Sequence, residues 1–423
     1  MRSIASVMLG VFLLVAWPVH AQIGRPVLEE VERQREPLIQ TMKELVSIES
    51  GSRDFEGLST IAGVIADRLE ELGGDVEFVD PADIYLMQDT PDQIGRSVVA
   101  RFRGAGSRRI LLLAHMDTVY LKGMLAEQPF RIEGDRAFGL GIADDKHGVA
   151  LIIHTLATLN ALDFRDYGLI TVLINADEEV SSPGSRSLIT RLGSEHDVVL
   201  SCEGGGRDRV RLATSGIGAF KLTVRGRASH AGSAPEQGRN ALYELAHQVM
   251  QTRDLSDPST GLKMNWTIAQ AGNTRNVIPA EAQATADVRA LSTEDFDRIE
   301  AEVNQRVSRK LIEGTELDLI FERRRPPLKA TDTSRALARH AQRIYREIGR
   351  ELTVNEEASG GGTDAAFAAL ETEAPVIEGM GLEGFGAHSN NAEYVELTSI
   401  GPRLYLLTRL IIDVAKGETG ALE

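Results

Sequence analysis

Thiol chemistry is almost absent from this chain of 423 residues: Cys202 is its single cysteine, so no internal disulfide can form. Basic charge is also short. The 46 lysines and arginines face 62 aspartates and glutamates, and the formal net charge of −16 excludes a nucleic-acid footprint. An anionic substrate would need a local cluster of arginines to offset that field. There is no low-complexity tract and no internal repeat. One stretch, residues 4–17, is apolar enough to suggest a membrane, but it is too short to span comfortably and Pro18 follows it. Behind the short positive start Met1-Arg2 and ahead of Val19-His20-Ala21, it reads as a signal peptide, residues 1–21, cleaved after Ala21. The mature protein is expected to be periplasmic or secreted, with no membrane attachment after cleavage.

What the chain does have begins with Arg109-Ile-Leu-Leu-Leu-Ala-His115-Met-Asp117-Thr118. The unbroken apolar run predicts a strand buried on both faces, as at the centre of a parallel sheet. Side chains repeat every two residues along a strand, so His115 and Asp117 are expected to point the same way. A metal ligand and its orienting carboxylate are built like this, and so is a satisfied histidine at a strand end.

Periodicity predicts helices over residues 27–50, 58–72, 148–159, 184–192, 334–348 and 399–415, and strands over 76–79, 97–103, 169–175, 198–203 and 375–377. Alternation of strands with helices argues for an α/β layered sheet, where ligands bind beyond the carboxyl ends of the strands. Three strands end there in acid or imidazole: His115, then Asp177-Glu178-Glu179, then Glu203 followed by Gly204-Gly-Gly206. Adjacent acids at the end of a core strand repel one another unless cations neutralise them. Asp144 lies just before a helix start, where a carboxylate is favoured by free amides, and a plain N-cap is the commoner local use. Between Gly216-Ile-Gly218 and Pro326-Pro327, read as hinges, the pattern changes. Strands over 220–224, 265–269, 281–289 and 316–321 and helices over 240–253 and 293–311 give the β-α-β-β-α-β order of a split βαβ unit.

Together, His115, Asp144, Glu179, Glu203 and His388 supply two imidazoles and three carboxylates. That mixture suits a pair of zinc-like ions better than magnesium or calcium, which prefer oxygen alone. Two dications against three carboxylates leave net positive charge with which to bind and ionise a water. One carboxylate would bridge, and one of the adjacent glutamates would remain free to move protons.

The segments Leu113-Ala-His115-Met-Asp117-Thr-Val-Tyr120, Gly141-Ile-Ala-Asp144-Asp-Lys146, Asp177-Glu-Glu179, Ala228-Ser-His230-Ala-Gly232 and Gly360-Gly-Gly-Thr-Asp364 resemble, in this order and spacing, those of the M20 metallopeptidases. Within that family the chain is most similar to the glutamate carboxypeptidases of carboxypeptidase G type, over nearly all the mature chain. The resemblance implies an α/β catalytic domain, residues 22–215 and 326–423, with a mixed, largely parallel sheet flanked by helices. It also implies an inserted ferredoxin-like α+β lid and dimerisation domain, residues 216–325. It implies two zinc ions per subunit, with Asp144 bridging, His115 and Glu203 completing separate sites, and Glu179 and His388 as the other ligands. Asp117 would orient His115, Glu178 would be the general base, and a cis peptide would follow Asp144. His230 would stabilise the oxyanion in the partner subunit's site of a homodimer. Asn276 and Arg289 would hold the substrate carboxylate. Arg209, Arg323 and Arg325 would read a glutamate side chain, with Arg209 where lysine is usual, and Gly361 and Thr363 belong to a loop that would bind the α-carboxylate through its amides. The activity implied is hydrolysis of the amide to a C-terminal glutamate in N-acyl amino acid or folate-type substrates. The alternative is an aminoacylase or dipeptidase of the same machinery. Two departures stand out: His147 replaces a usual glycine and is expected to crowd a helix start, and the glycine-rich segment after Glu203 is short.

Overall fold

The computed structural model describes residues 19–421 apart from Ser359, Asn390 and Asn391. The apolar run of residues 4–17 lies outside the described residues, and the expected cleavage point after Ala21 falls in the first turn of helix α1 (Val19–Val46). Among the described residues no helix is long and apolar enough to cross a membrane.

Helix α1 buries Val31, Leu38, Met42 and Leu45, one apolar stripe at helical spacing. Helix α2 (Phe55–Glu71) starts on Asp54, whose carboxylate accepts the Gly57 amide at 3.2 Å. Strands β1 (Asp75–Val79), β2 (Ser97–Arg103) and β3 (Arg109–His115) follow, then helix α3 (His147–Ala161), β4 (Leu169–Asn175), α4 (Arg186–Ser194) and β5 (Val198–Ser201). In β3 every residue from Ile110 to His115 is buried, as its apolar run demands.

The chain then leaves this layer. Strand β6 (Gly216–Arg225), helix α5 (Ala241–Gln251), strands β7 (Lys263–Ala271) and β8 (Glu281–Ala290), helix α6 (Thr293–Val307) and strand β9 (Glu316–Arg325) form a separate antiparallel sheet in the order β7-β8-β6-β9. It has its own apolar cluster, with Phe220, Leu222, Val288, Phe296 and Val303 fully or almost fully buried. Gly216 and Gly218 are not a hinge loop but the start of β6. A Cβ on Gly218 would come within 2.7 Å of the Phe321 ring, so the glycines serve packing.

Helix α7 (Asp332–Glu347), strand β10 (Val376–Ile377) and helix α8 (Ile400–Ala415) return to the first layer. Its sheet runs β1-β2-β4-β3-β5-β10, with β3 parallel to β4 and β5, β10 parallel to β5, and β1 and β2 antiparallel. A small sheet orders the segments Gly384–Phe385, Tyr394–Glu396, Arg136–Phe138 and Arg131–Glu133 side by side.

One buried polar contact joins α1 to α3. The His154 Nε2 lies 2.9 Å from the Thr41 hydroxyl and its Nδ1 2.8 Å from the Gln34 side-chain oxygen, the arrangement of a neutral ring. Burial, reinforced by the charge of Arg68, lowers its pKa from 6.5 to about 4. The unfolded chain therefore takes up this proton first as pH falls, and stability is lost between pH 6.5 and 4, by about 3 kcal/mol when complete. In urea melts, the drop in unfolding free energy between neutral pH and pH 4 should be smaller by about that amount in His154→Gln.

Candidate metal centre

The parallel register places His115 opposite Asn175 and Leu113 opposite Ser201, so the loops after β3, β4 and β5 leave the sheet together. His115 Nδ1 lies 3.1 Å from the Asp117 carbonyl and 3.3 Å from its carboxylate, which turns Nε2 toward the other ligand candidates. From Nε2 it is 3.0 Å to Asp144 Oδ1, 3.7 Å to Glu203 and 4.0 Å to Glu178. Asp117 also anchors a neighbouring loop. Its buried carboxylate accepts the Ser52 hydroxyl at 2.7 Å and the amides of Glu178 and Glu179 at 3.0 and 3.1 Å. One carboxylate thus aims the ring and holds the acid-bearing turn. Asp177 faces away, accepting from Gly184 and Ser185.

Asp144 sits in the tight turn Ile142–Lys146, with a cis peptide to Asp145. It does not cap α3, which starts after Lys146 without a side-chain cap. Its second oxygen, Oδ2, is 3.1 Å from His388 Nε2, which in turn lies 3.2 Å from Glu179 Oε2. Two groups result, each with donor atoms within 4.8 Å of one another: His115, Glu178 and Glu203, and Asp144, Glu179 and His388. His115 and Glu203 therefore stand together, contrary to the expectation that they complete separate sites, because both leave adjacent strand ends. Asp144 faces both groups, one oxygen to each.

The electrostatics carry an excess of buried negative charge. Burial, then Asp144 and Glu178, push Glu179 up to about 8, and burial raises Glu203 well above the carboxylate range. Asp144 is held low against its burial by the two imidazoles. Its carboxylate and that of Glu179 push His388 up to about 10. Glu179 Oε1 is buried without a hydrogen-bond partner. An orphaned carboxylate oxygen inside a mixed nitrogen–oxygen donor set fits divalent cations of zinc type.

A cavity of about 530 Å³ lies between this cluster and the second sheet, lined by Asp144, Glu178, Glu179, Glu203 and His388 on one side and by Ile217, Thr285, Arg289, Arg324, Arg325 and Gly361 among others across it. Several substrate-site expectations change here. Arg325 is buried, with its guanidinium on the Glu178 carboxylate and carbonyl and 3.5 Å from Asp364, so its fork is already filled. Arg209 is exposed on the short strand Arg209–Arg211 and does not line the cavity. Thr363 is buried too, its hydroxyl donating to Glu378 at 2.9 Å. Arg323 pairs with Asp297 and Glu300, whereas Arg324, which does line the cavity, is gripped by Asp89 and Glu322. Arg289 lines it with its fork on Asp287 and one nitrogen 3.0 Å from the Gly360 carbonyl.

His230 and Asn276 lie outside the cavity lining and are exposed, near a two-residue ladder of Ser229–His230 with Val277–Ile278. His230 Nδ1 accepts the amides of Gly232 and Ser233, both at 3.1 Å, which leaves Nε2 as the protonated nitrogen of the neutral ring. His147 does not crowd the helix: its buried ring lies beside Asp145, Nδ1 at 2.9 Å from Oδ1. The glycine-rich segment after Glu203 is pinned by Arg403, which donates to the carbonyls of Gly206, Arg209 and Gly379, and by Arg211 on the Gly204 carbonyl. Sequence reasoning missed buried Arg403 and half-buried Arg211, as it missed Ser52 and the Asp364 contact, since only folding shows whether a polar residue faces inward.

Because Asp117 orients the ring and holds the turn, Asp117→Ala should weaken metal binding about 10–100-fold in a competitive chelator titration. A smaller change would mean that the ring is aimed by its backbone contact alone.

Comparison with known proteins follows the same lines. The model of Peptidase family M20/M25/M40 matches residues 111–413. Carboxypeptidase G2 of Pseudomonas sp. (strain RS-16) is 43% identical over 419 residues, 98% of either chain. Among solved structures, a tripeptidase from Staphylococcus aureus superposes with a TM-score of 0.74 at 20% identity, covering 90% of this chain and 99% of that one. An M20 family metallo-carboxypeptidase from Sulfolobus solfataricus does so with a TM-score of 0.72 at 16% identity, covering 88% and 98%. The α/β architecture expected from the strand and helix pattern is the one these structures share. Cluster, fold and sequence agree: the chain belongs to peptidase family M20/M25/M40, as a metallopeptidase akin to Carboxypeptidase G2.

Proposed function

We propose that this protein is a two-zinc carboxypeptidase that hydrolyses the amide bond to a C-terminal glutamate, or a similar acidic residue, in N-acyl amino acid or folate-type substrates. The observation that carries it is the pair of ligand groups sharing Asp144, with Glu178 beside them at the cavity wall. His115 and Glu203 would hold one ion, Glu179 and His388 the other, and Asp144 both. Bound zinc would supply Lewis acidity and ionise a water at neutral pH. Glu178 takes the proton of the attacking water and returns it to the leaving amine nitrogen. Arg289, on exchange of its contacts to Asp287 and the Gly360 carbonyl, and the backbone at Gly361 would offer donors for the substrate carboxylate, inside a chain whose overall field is repulsive to it.

Residues 216–325 would act as lid and homodimer interface. Strand β7 is an edge strand with Ile268 58% exposed, and Tyr243 and Met250 of α5 are exposed as well. His230, outside the cavity of its own chain, would reach the partner's site, where its Nε2 proton would meet the developing oxyanion. Residues 1–21 would direct export to the periplasm or beyond. A second reading, an aminoacylase or dipeptidase without acidic preference, draws on Arg325: with its fork on Glu178, it is not free to read a side chain.

Kinetics on the zinc-loaded protein separate the two. N-acetyl-glutamate should exceed N-acetyl-leucine in kcat/KM by at least about 100-fold, since a site built for a polar group rejects its apolar analogue. Equal or reversed values would establish the second reading. Glu178→Gln should lower kcat by about 10²–10⁴-fold. Mixed with inactive His230→Ala protein, it should regain activity through heterodimers that contain one intact site. Absence of any rescue would place His230 in its own chain's chemistry or in none.

A further inference from the structure

Glu393 is 3% exposed and lies just beyond the loop that carries His388. Its Oε1 accepts the Ala143 amide at 2.7 Å, and its Oε2 accepts the Gly141 amide at 3.1 Å together with the hydroxyl of Tyr120. Those donors come from two other ligand-bearing segments. Tyr120 stands five residues after His115, and Ala143 immediately precedes Asp144. We propose that Glu393, locked by Tyr120, is a positioning residue that holds the outer half of the metal centre together. This rests on the two-zinc reading above.

The geometry of the spot calls for an acceptor at both side-chain oxygens. Three donors converge on it from a buried setting, and only a carboxylate offers acceptors on both oxygens with no hydrogen of its own. The buried side chain of Lys146, which donates to the Ile48 carbonyl at 2.7 Å, lies nearby. A glutamine would have to aim its amide hydrogens at one of the backbone N–H groups and lose that contact.

The two halves of the centre depend on this clamp unequally. His115 ends a central strand and is aimed by Asp117, and the loop of Glu203 is pinned by Arg403 and Arg211. The outer group has less to hold it. The His388 side chain is 55% exposed and its residue has a φ of 61°, off any strand, while Asp144 sits in a turn without helical or strand geometry. Glu393 links those two segments directly. Losing it should therefore weaken both ions through the shared Asp144, and the ion of Glu179 and His388 the more, because His115 and Glu203 keep supports of their own.

The test is equilibrium dialysis of the full-length protein against graded free zinc, with zinc per chain as the readout and the melting temperature of the metal-free protein as a fold check. Variants are Glu393→Gln, Tyr120→Phe and, as a control three residues further on, Glu396→Gln, whose side chain contacts Arg136. Expected for Glu393→Gln is one ion weakened 10–100-fold and the other weakened several-fold less through the shared Asp144, with Tyr120→Phe shifted the same way by less and Glu396→Gln unchanged. Two ions bound as in wild type, or both weakened equally, would overturn the clamp. Should Glu393→Gln fail to fold, Tyr120→Phe decides by the same criterion. Wild-type protein that binds fewer than two ions would instead sink the two-zinc reading, and the clamp with it.

Discussion

Like charge brought together in a dry place is the constraint on which this molecule depends. Asp144, Glu178 and Glu203 gather around the His115 imidazole at the end of a buried strand, and Glu179 joins them beside His388. Two such charges 4 Å apart repel by about 4 kcal/mol at an effective dielectric near 20, so four of them cannot be held by hydrogen bonds alone. The raised Glu179 and Glu203 pKa values and the unpartnered Glu179 oxygen express that strain electrostatically. Bound metal cations would remove it. Metal binding is thus what would let Glu179 and Glu203 stay ionised in this setting.

The fold supports such a cluster by making everything beneath it rigid. Three parallel strands, β3 flanked by β4 and β5, end in register, and their loops have no room to drift. Gly148 shows how tight the setting is, since a Cβ there would lie 2.3 Å from the Cys202 carbonyl, at the strand end that presents Glu203. Buried polar residues complete the support: Asp117 on the turn of Glu178, Arg403 on the loop of Glu203, Glu393 on the turn of Asp144. Each uses backbone groups of a loop that carries a ligand candidate as its handle, so the candidates are aimed from behind without competition for their own side-chain atoms.

Much of this was legible before folding. Apolar runs that end in acid or imidazole marked β3, β4 and the strand before Glu203, because a residue at a buried strand end needs a reason to be polar. Chain separation hid the pairing: nothing local says that Glu203, not Glu179, stands with His115. Glycine was misleading as well. Gly216 and Gly218 look like a hinge, yet they lie inside β6 because the Phe296 and Phe321 rings occupy the space above them. Asp144 sits near a helix start in sequence, but it belongs to the turn Ile142–Lys146, and α3 begins only after that turn.

The arginines show the deeper limit. A guanidinium fork fits a protein carboxylate as well as a substrate one, so residue type and position cannot tell a reader from a holder. Burial and prior occupancy can. Arg325, expected to meet the substrate, is spent on Glu178 and Asp364, and Arg186, which no local pattern singles out, donates to the carbonyls of Ser181 and Arg324 while stacking on Tyr85 and Phe367. Both link the last residues of β9 to the turn that bears Glu178 and Glu179. Arg289 makes a similar crossing from β8 to the Gly360 carbonyl. The second sheet is therefore fastened to the acid-bearing loops by the very residue type that an acidic substrate would attract. Any carboxylate entering the cavity competes with these internal partners, and its affinity is the difference between two similar pairings, not the full strength of one.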